Sequence, residues 1–224
     1  MASLYLAEVS RLDSAFDRFL PEVEPARRNE LLRSGPNRTA LCRLGAGLLV
    51  RTLFESWWGN SGIQKTPEGQ PYLPGAPCFS ISHSGSLILL GVSDRPIGVD
   101  IQEQRTVSVS RIASRFFHPN ETERIRISTD PDSEFLSLWT AKESYVKAKG
   151  LGFSLPFSSF SLQPGANGSF LIEIPFGSPF QIRTVTVPNG YSAAVCSQDP
   201  VIPEHPVLCI FDPDAPFGFR IPSR

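Results

Sequence analysis

The chain has 224 residues, of which 41% are hydrophobic and 19% charged, and its formal net charge is −1. That length holds one large domain or two of roughly 100 residues with a real core. The near-neutral balance excludes a whole-protein electrostatic footprint for nucleic acid, so any basic site is local. Met1-Ala2-Ser3-Leu4-Tyr5-Leu6-Ala7-Glu8 lacks the basic start and apolar run of a signal peptide, and no stretch reaches the roughly 18 apolar residues of a membrane span. A cytoplasmic protein with no membrane contact is expected. Cys42, Cys78, Cys196 and Cys209 show no C-x-x-C spacing, and only three histidines are present, so the cysteines read as reduced, buried thiols rather than zinc ligands.

A strand at Leu4 to Val9 is followed by helical patterns at Ser10 to Leu20, Ala26 to Arg33 and Arg38 to Trp58, the last with an apolar stripe of Leu41, Leu44, Leu48, Leu49, Leu53 and Trp57. Phe79-Ser80-Ile81-Ser82 alternates and leads into Ser82-His83-Ser84-Gly85, which reads as a tight loop exposing His83. Leu87 to Val92 and Ile97 to Ile101 flank the turn Ser93-Asp94-Arg95-Pro96 as a hairpin or meander. Along the second of these, Val99 and Ile101 face one side, and Gly98, Asp100 and Gln102 the other. Helical patterning resumes from Val107 to Phe117, then after His118-Pro119 with Asn120 as N-cap, and again from Asp132 to a C-cap at Gly150. Strand-like runs follow at Phe160 to Leu162, Phe170 to Ile174, Ile182 to Val187 and Tyr191 to Cys196, separated by Pro, Gly and Asn turns. Helices then strands, twice, predict two α+β halves, residues 1–102 and 103–196, before an irregular Pro-rich tail at 197–224.

The chemistry concentrates in Asp100 and in Trp139-Thr140-Ala141-Lys142-Glu143-Ser144-Tyr145-Val146-Lys147. Glu143 and Lys147 are four apart and share a helix face, which alone describes a surface ion pair. The same helix carries Phe135, Leu138, Trp139, Tyr145 and Val146, leaving little circumference for solvent, and Lys142 and Lys147 flank the carboxylate. A carboxylate held among ammonium groups stays ionised and suits a metal with phosphate oxygens. Mg²⁺ takes one or two carboxylates, waters and substrate phosphates, and Asp100 and Glu143 supply the carboxylates.

Other patterns carry less. Gly45-Ala46-Gly47 lacks the third glycine of a dinucleotide fingerprint and sits in a helical pattern, and no P-loop occurs. Arg27, Arg28, Arg33, Arg38, Arg43 and Arg51 read as a solvated helical face, and the sequons at Asn37, Asn120 and Asn167 lack a secretion signal. Ser144-Tyr145-Val146-Lys147 spells the S-x-x-K of penicillin-binding enzymes, but the only candidate for K-T-G, Lys65-Thr66-Pro67, lies upstream and no S-D-N is present.

Four motifs in order, Phe79-Ser80-Ile81-Ser82-His83-Ser84-Gly85, Ile97-Gly98-Val99-Asp100-Ile101, Arg115-Phe116-Phe117 and Trp139 to Gly150, resemble the 4′-phosphopantetheinyl transferases of the broad-specificity, Sfp-type group. The likeness extends more loosely through Leu155-Pro156-Phe157-Ser158-Ser159-Phe160 and Gly190-Tyr191 to about Cys196. It implies a monomeric single-chain pseudodimer of two α+β halves with antiparallel sheets and the active site in the cleft between them. It further implies transfer of the phosphopantetheine arm of coenzyme A to a serine of an apo acyl, peptidyl or aryl carrier protein, releasing 3′,5′-adenosine bisphosphate. Asp100, Glu143 and Lys147 would be catalytic, with Asp100, Glu143 and Gln102 around Mg²⁺ and Lys147 on the pyrophosphate. Coenzyme A would be held by Ser82, His83, Lys142, Lys147 and Gln70, with Arg27 and Arg43 for the 3′-phosphate, and the carrier would meet apolar surface around Arg115 to Phe117. Two departures stand out. Asp-x-Glu is here Asp100-Ile101-Gln102, with Glu103 aimed to the other face, and the family's Gly-Lys-Pro is Gly69-Gln70-Pro71. These glutamines also leave open a non-catalytic relative that binds carrier proteins or coenzyme A.

Overall fold

Helix-rich and strand-rich stretches alternate along the chain, but the two main sheets do not follow that division, since each takes strands from both strand-rich stretches. The computed structural model describes residues 1–59, 62–105, 109–173 and 178–222, and of Phe153 the backbone alone. The expected helix start at Val107 and strand end at Ile174 lie outside the described residues.

The elements begin with β1 (Ser3–Glu8), α1 (Phe16–Phe19), α2 (Pro25–Ser34) and α3 (Arg38–Leu53). A short pair, β2 (Gln64–Lys65) and β3 (Pro71–Tyr72), precedes β4 (Cys78–Ser84), β5 (Leu87–Ser93) and β6 (Ile97–Glu103). Three helices follow: α4 (Val109–Phe116), α5 (Pro119–Ile127) and α6 (Pro131–Lys149). The chain finishes with β7 (Ser161–Pro164), β8 (Ser169–Glu173), β9 (Gln181–Thr184), β10 (Tyr191–Ser197), β11 (Val207–Phe211) and β12 (Phe219–Arg220).

One sheet runs β12-β11-β1-β5-β4 and the other β6-β10-β9-β8-β7. All pairings are antiparallel except that of β11 with β1. The expected mixed α+β fold with antiparallel sheets is therefore the one observed. Among the described residues the buried apolar side chains form three clusters, and strand alternation explains them. Ile88 and Leu90 of β5 face Leu44 and Leu48 of α3, whereas Leu87 and Leu89 face the second sheet. There they meet Val99 and Ile101 of β6 and Ala193 and Val195 of β10. The opposite face of β10, Ala194 and Cys196, packs with Leu138, Ala141 and Tyr145 of α6. The layers are helix, sheet, sheet, helix. β5, buried on both faces, accordingly reads as an unbroken apolar run.

Helix ends follow local chemistry. Asn37 accepts the Ala40 N–H at 3.0 Å to cap α3. Asp130 caps α6 with Pro131 in its first turn, and Gly150 ends it in the left-handed region at φ 70°.

Several expectations are corrected. The Ser10 to Leu20 segment is mostly 3₁₀ turns around the four-residue α1, since its apolar groups need only cover one end of the first core. α3 stops at Leu53 because Phe54 leaves helical geometry (φ −121°) and places its ring 5.3 Å from that of Phe79. α5 is capped by His118 rather than Asn120: His118 Nδ1 accepts the Asn120 N–H, and Glu121 accepts the His118 N–H, closing a capping box. Ser93 to Pro96 joins no hairpin; β5 and β6 are in different sheets and the turn carries the chain between them. The proposed loop at Ser82 to Gly85 is strand through Ser84, and the turn comes at Gly85 (φ 62°). The tail is not irregular throughout. β11 pairs beside β1, with Leu6 opposite Leu208, so the last stretch completes the first sheet. Cys78 is exposed, while Cys42, Cys196 and Cys209 are buried free thiols as expected. Among the described residues no helix is long and apolar enough to cross a membrane.

Candidate active site

The edge strands of the two sheets, β4 and β6, lie side by side without a backbone ladder, and α6 lies directly on β6. Gly98 permits that approach. A Cβ there would fall inside contact distance of the Ser144 carbonyl oxygen and the Ala148 amide nitrogen, and 3.0 Å from Lys147 Cβ. With nothing but backbone at Gly98, the last two turns of α6 reach the strand and set Lys147 beside Asp100, two residues on.

Asp100 is 2% exposed, and three donors hold its carboxylate. Ser82 Oγ donates to Oδ1 at 2.7 Å, Lys147 Nζ to the same oxygen at 2.6 Å, and Gln102 Nε2 to Oδ2 at 3.0 Å. Lys147 also donates to the Val99 carbonyl at 3.1 Å, and its side chain remains 30% exposed toward the cleft. Glu143, one turn earlier on α6, makes no hydrogen bond or ion pair among the described residues. Burial raises its proton affinity, the nearby Asp100 charge raises it further, and Lys147 opposes both. Two carboxylates that repel one another in a half-buried cleft, with an amide beside them, suit a hard divalent cation with oxygen ligands. Among the described residues no cluster of three or more His, Cys, Asp or Glu side chains could hold a metal. Glu103 turns away as expected, accepting from Arg38 and Tyr191.

His83 lies on the outward side of β4, and its proton affinity is lowered, chiefly by burial of the ring and then by the positive charges of Lys147, Arg43 and Arg27. By accessible surface His83 is nonetheless an exposed residue, so its ring is crowded by neighbours without being sealed from water. The fold thus gathers His83, Arg27, Arg43 and Lys147 within electrostatic reach of each other. Arg27 is anchored by Glu24 (2.7 Å) and the Arg43 carbonyl (2.8 Å), and Arg43 by Glu30 (2.9 Å) at an exposed position. Gln70 sends its side-chain amide to the Lys147 carbonyl, so the β2–β3 loop caps the end of α6. A cavity of about 350 Å³ opens there, between Gly69 to Pro71, Phe79 to Ile81 of β4, and Glu143, Val146 and Lys147 of α6.

Two expected ligand contacts are placed elsewhere. Lys142 does not flank Glu143 in the cleft. Five residues before Lys147 it points about 140° around the helix, and it is fully buried. Its ammonium pairs with Glu121 at 2.9 Å, donates to the Phe157 and Phe160 carbonyls at 2.7 Å each, and lies 4.0 Å from the Phe160 ring centroid. Burial pulls its pKa down to about 8 although Glu121 pulls it up. Ser82 is buried, and its hydroxyl is occupied by Asp100 and the Ile101 N–H rather than turned to the cleft. The S-x-x-K alternative also lacks its nucleophile, since buried Ser144 donates to the Ala141 carbonyl at 2.7 Å.

Residues 96–196 match the family model of the 4′-phosphopantetheinyl transferase superfamily. The 4′-phosphopantetheinyl transferase Sfp of Bacillus subtilis strain 168 is 34% identical over 198 residues, spanning 84% of this chain and 88% of its own. The chain belongs to the 4′-phosphopantetheinyl transferase family. A second Bacillus subtilis 4′-phosphopantetheinyl transferase is 35% identical over 196 residues, covering 82% of this chain and 86% of the relative. The L-aminoadipate-semialdehyde dehydrogenase-phosphopantetheinyl transferase of Xenopus laevis is 28% identical over 165 residues, covering 63% and 55%. Membership supports the reading of this chain as an enzyme that transfers phosphopantetheine. Asp100, Gln102, Glu143 and Lys147 all fall inside the matched segment.

Sequence reasoning gave Ser80 and Ser84 no role of their own within the Phe79 to Gly85 motif, whereas their hydroxyls accept the Val99 and Glu103 N–H groups beside the site. The alternation Ser80-x-Ser82-x-Ser84 was a visible signal, but its meaning depends on β6 lying alongside.

Proposed function

We propose that this phosphopantetheinyl transferase acts as a monomeric single-chain pseudodimer whose halves are built on the two sheets, β6 going with the second half and β11 and β12 with the first, rather than dividing at residues 1–102 and 103–196, with coenzyme A held where β4, β6 and α6 meet. The acceptor is a serine of an apo acyl, peptidyl or aryl carrier protein. The observation that carries this reading is the facing pair Asp100 and Glu143, with Lys147 bonded to Asp100 and the basic group of His83, Arg27 and Arg43 alongside.

A Mg²⁺ ion held by Asp100, Glu143 and the side-chain oxygen of Gln102 would supply charge neutralisation for the coenzyme A pyrophosphate. Lys147, on a flexible stem and partly exposed, transfers its ammonium from Asp100 Oδ1 to pyrophosphate oxygens when these arrive. His83, Arg27 and Arg43 receive the 3′-phosphate, and Gln70 holds the β2–β3 loop over the nucleotide. Glu143 Oε accepts the proton of the carrier serine, a task its raised proton affinity favours. The serine oxygen bonds to the β-phosphorus as the bond to the bridging oxygen breaks, and 3′,5′-adenosine bisphosphate leaves. Phe116, exposed with Arg115 stacked on it at 5.3 Å, offers the carrier an apolar landing point, while Phe117 is buried in the aromatic cluster.

Mass spectrometry of apo carrier proteins incubated with the enzyme, coenzyme A and Mg²⁺ tests this directly. A phosphopantetheine mass increment is expected, and its absence across acyl, peptidyl and aryl carriers would overturn the proposal.

A further inference from the structure

β4 and β6 are each the edge strand of a different sheet, and an unpaired edge leaves backbone N–H groups that need partners. Three alternate serines meet that need. Ser80 Oγ accepts the Val99 N–H at 3.1 Å, Ser82 Oγ the Ile101 N–H at 3.3 Å, and Ser84 Oγ the Glu103 N–H at 2.9 Å. Because side chains alternate along a strand, all three hydroxyls stand on one side of β4 and meet alternate amides of β6. The sheets are thus stitched by side chains instead of a ladder.

Only the middle stitch has a second bond. Ser82 Oγ accepts from the strand and donates its own proton to Asp100 Oδ1 at 2.7 Å, whereas Ser80 and Ser84 donate to no described residue. Of the other two donors on Asp100, Lys147 is long and partly exposed, and Gln102 has further rotatable bonds of its own. Ser82 is short, buried and pinned to the Ile101 amide.

We propose that Ser82 is a positioning residue of the transferase: pinned by the seam, its hydroxyl fixes the plane of the Asp100 carboxylate and thereby presents it for metal binding. This rests on the reading of Asp100 as a metal ligand. A group that orients a ligand tunes the metal without touching it, and its loss typically costs about 10- to 100-fold in metal affinity or activity. The seam function and the orienting function separate along β4, since Ser84 has the first and lacks the second.

The test compares Ser82→Thr with Ser82→Val, which differ in a hydroxyl at nearly equal bulk, alongside Ser82→Ala and Ser84→Ala. The readouts are binding of Mn²⁺ in the presence of coenzyme A, followed by the paramagnetic signal of the free ion, the Mg²⁺ concentration at half-maximal rate, and thermal stability. Ser82→Thr is expected to bind Mn²⁺ as the natural enzyme does, and Ser82→Val and Ser82→Ala about tenfold or more weakly. Ser84→Ala is expected to lose thermal stability with its Mn²⁺ affinity unchanged. Equal Mn²⁺ affinity for the Thr and Val variants, or an equal loss in Ser84→Ala, overturns the inference. Asp100→Asn is measured in parallel. If it binds Mn²⁺ like the natural enzyme, the metal reading itself fails. If it weakens binding while Ser82→Val does not, only the role of Ser82 falls.

Discussion

α6 carries two lysines five residues apart, and the two regions they serve differ in almost every physical respect. Lys142 lies in the second-half core at 0% exposure, enclosed by Glu121, two carbonyls and the rings of Phe117, Phe157 and Phe160. Lys147 stands at the seam with a third of its surface free, paired with Asp100 and close to Glu143 and His83. In the first region the ion pair itself is fully partnered: Glu121 pairs with Lys142 and also accepts the N–H groups of His118 and Leu162, although the neighbouring Arg124 keeps one buried nitrogen without a hydrogen-bond partner among the described residues. The second contains Glu143, which has no hydrogen-bonding partner among the described residues and resists ionisation. A carboxylate whose partners all come from the protein serves the fold, whereas one without them is available to a ligand. Both arrangements can be built against neighbouring turns of one helix.

The sharpest attack on this comparison is Glu143→Gln. If the incomplete site is the catalytic one, turnover should fall by about 10²- to 10⁴-fold, as for loss of a general base, with coenzyme A still bound. Steady-state transfer to an apo carrier measures the first and calorimetry the second; unchanged turnover would dissolve the contrast. Lys142→Ala attacks the closed side. It leaves Glu121 buried without its cation and should cost about 3–5 kcal/mol of folding stability by denaturant titration. The fraction that folds should keep its KM for coenzyme A. Replacing both members, Lys142→Met with Glu121→Leu, should recover most of that stability, since an apolar pair no longer buries a charge. A raised KM with stability intact would instead return Lys142 to the cleft.

Gly98→Ala tests the link between the regions. The added methyl must push α6 from β6, so about 1–3 kcal/mol should be lost together with the Lys147–Asp100 pairing, seen as reduced thermal stability and reduced transfer. The smallest expected effect concerns pH. The folded-state pKa of Glu143 is raised above its ordinary value of 4.5, so the folded protein holds this proton more tightly than the unfolded chain. Stability from this group is present below the ordinary value and lost as pH rises through the folded-state value. Glu143→Gln should therefore be more stable than the natural enzyme at neutral pH, with the advantage vanishing in acid. An unfolding series against pH checks the sign.

Much of the site was legible beforehand because its chemistry is local in the chain. Strand alternation alone separated Asp100 and Gln102 from Val99 and Ile101, and helical spacing placed Glu143 with Lys147; both groupings stand in the structure. Lys142 was misplaced because spacing states which residues share a face but not what covers that face. The covering groups, Glu121 and the Phe157 to Phe160 turn, come from other elements. Likewise Val207 to Phe211 looked like part of a Pro-rich tail, since its partner β1 is at the opposite end of the chain. The turn at Ser93 to Pro96 resembled a hairpin because nothing nearby signals that β5 pairs with β1 and β6 with β10.

By itself, then, the sequence determined the element types, the faces of single strands and helices, and the set of acids, amides and bases available for transfer, since these depend on periodicity and side-chain chemistry. The tertiary structure decided which lysine reaches the cleft, that the last strand closes the first sheet, and that three serines join two edges so that one of them can hold Asp100. Those outcomes rest on contacts between distant segments, where packing and the need to satisfy buried polar groups choose among directions that local patterns leave equivalent.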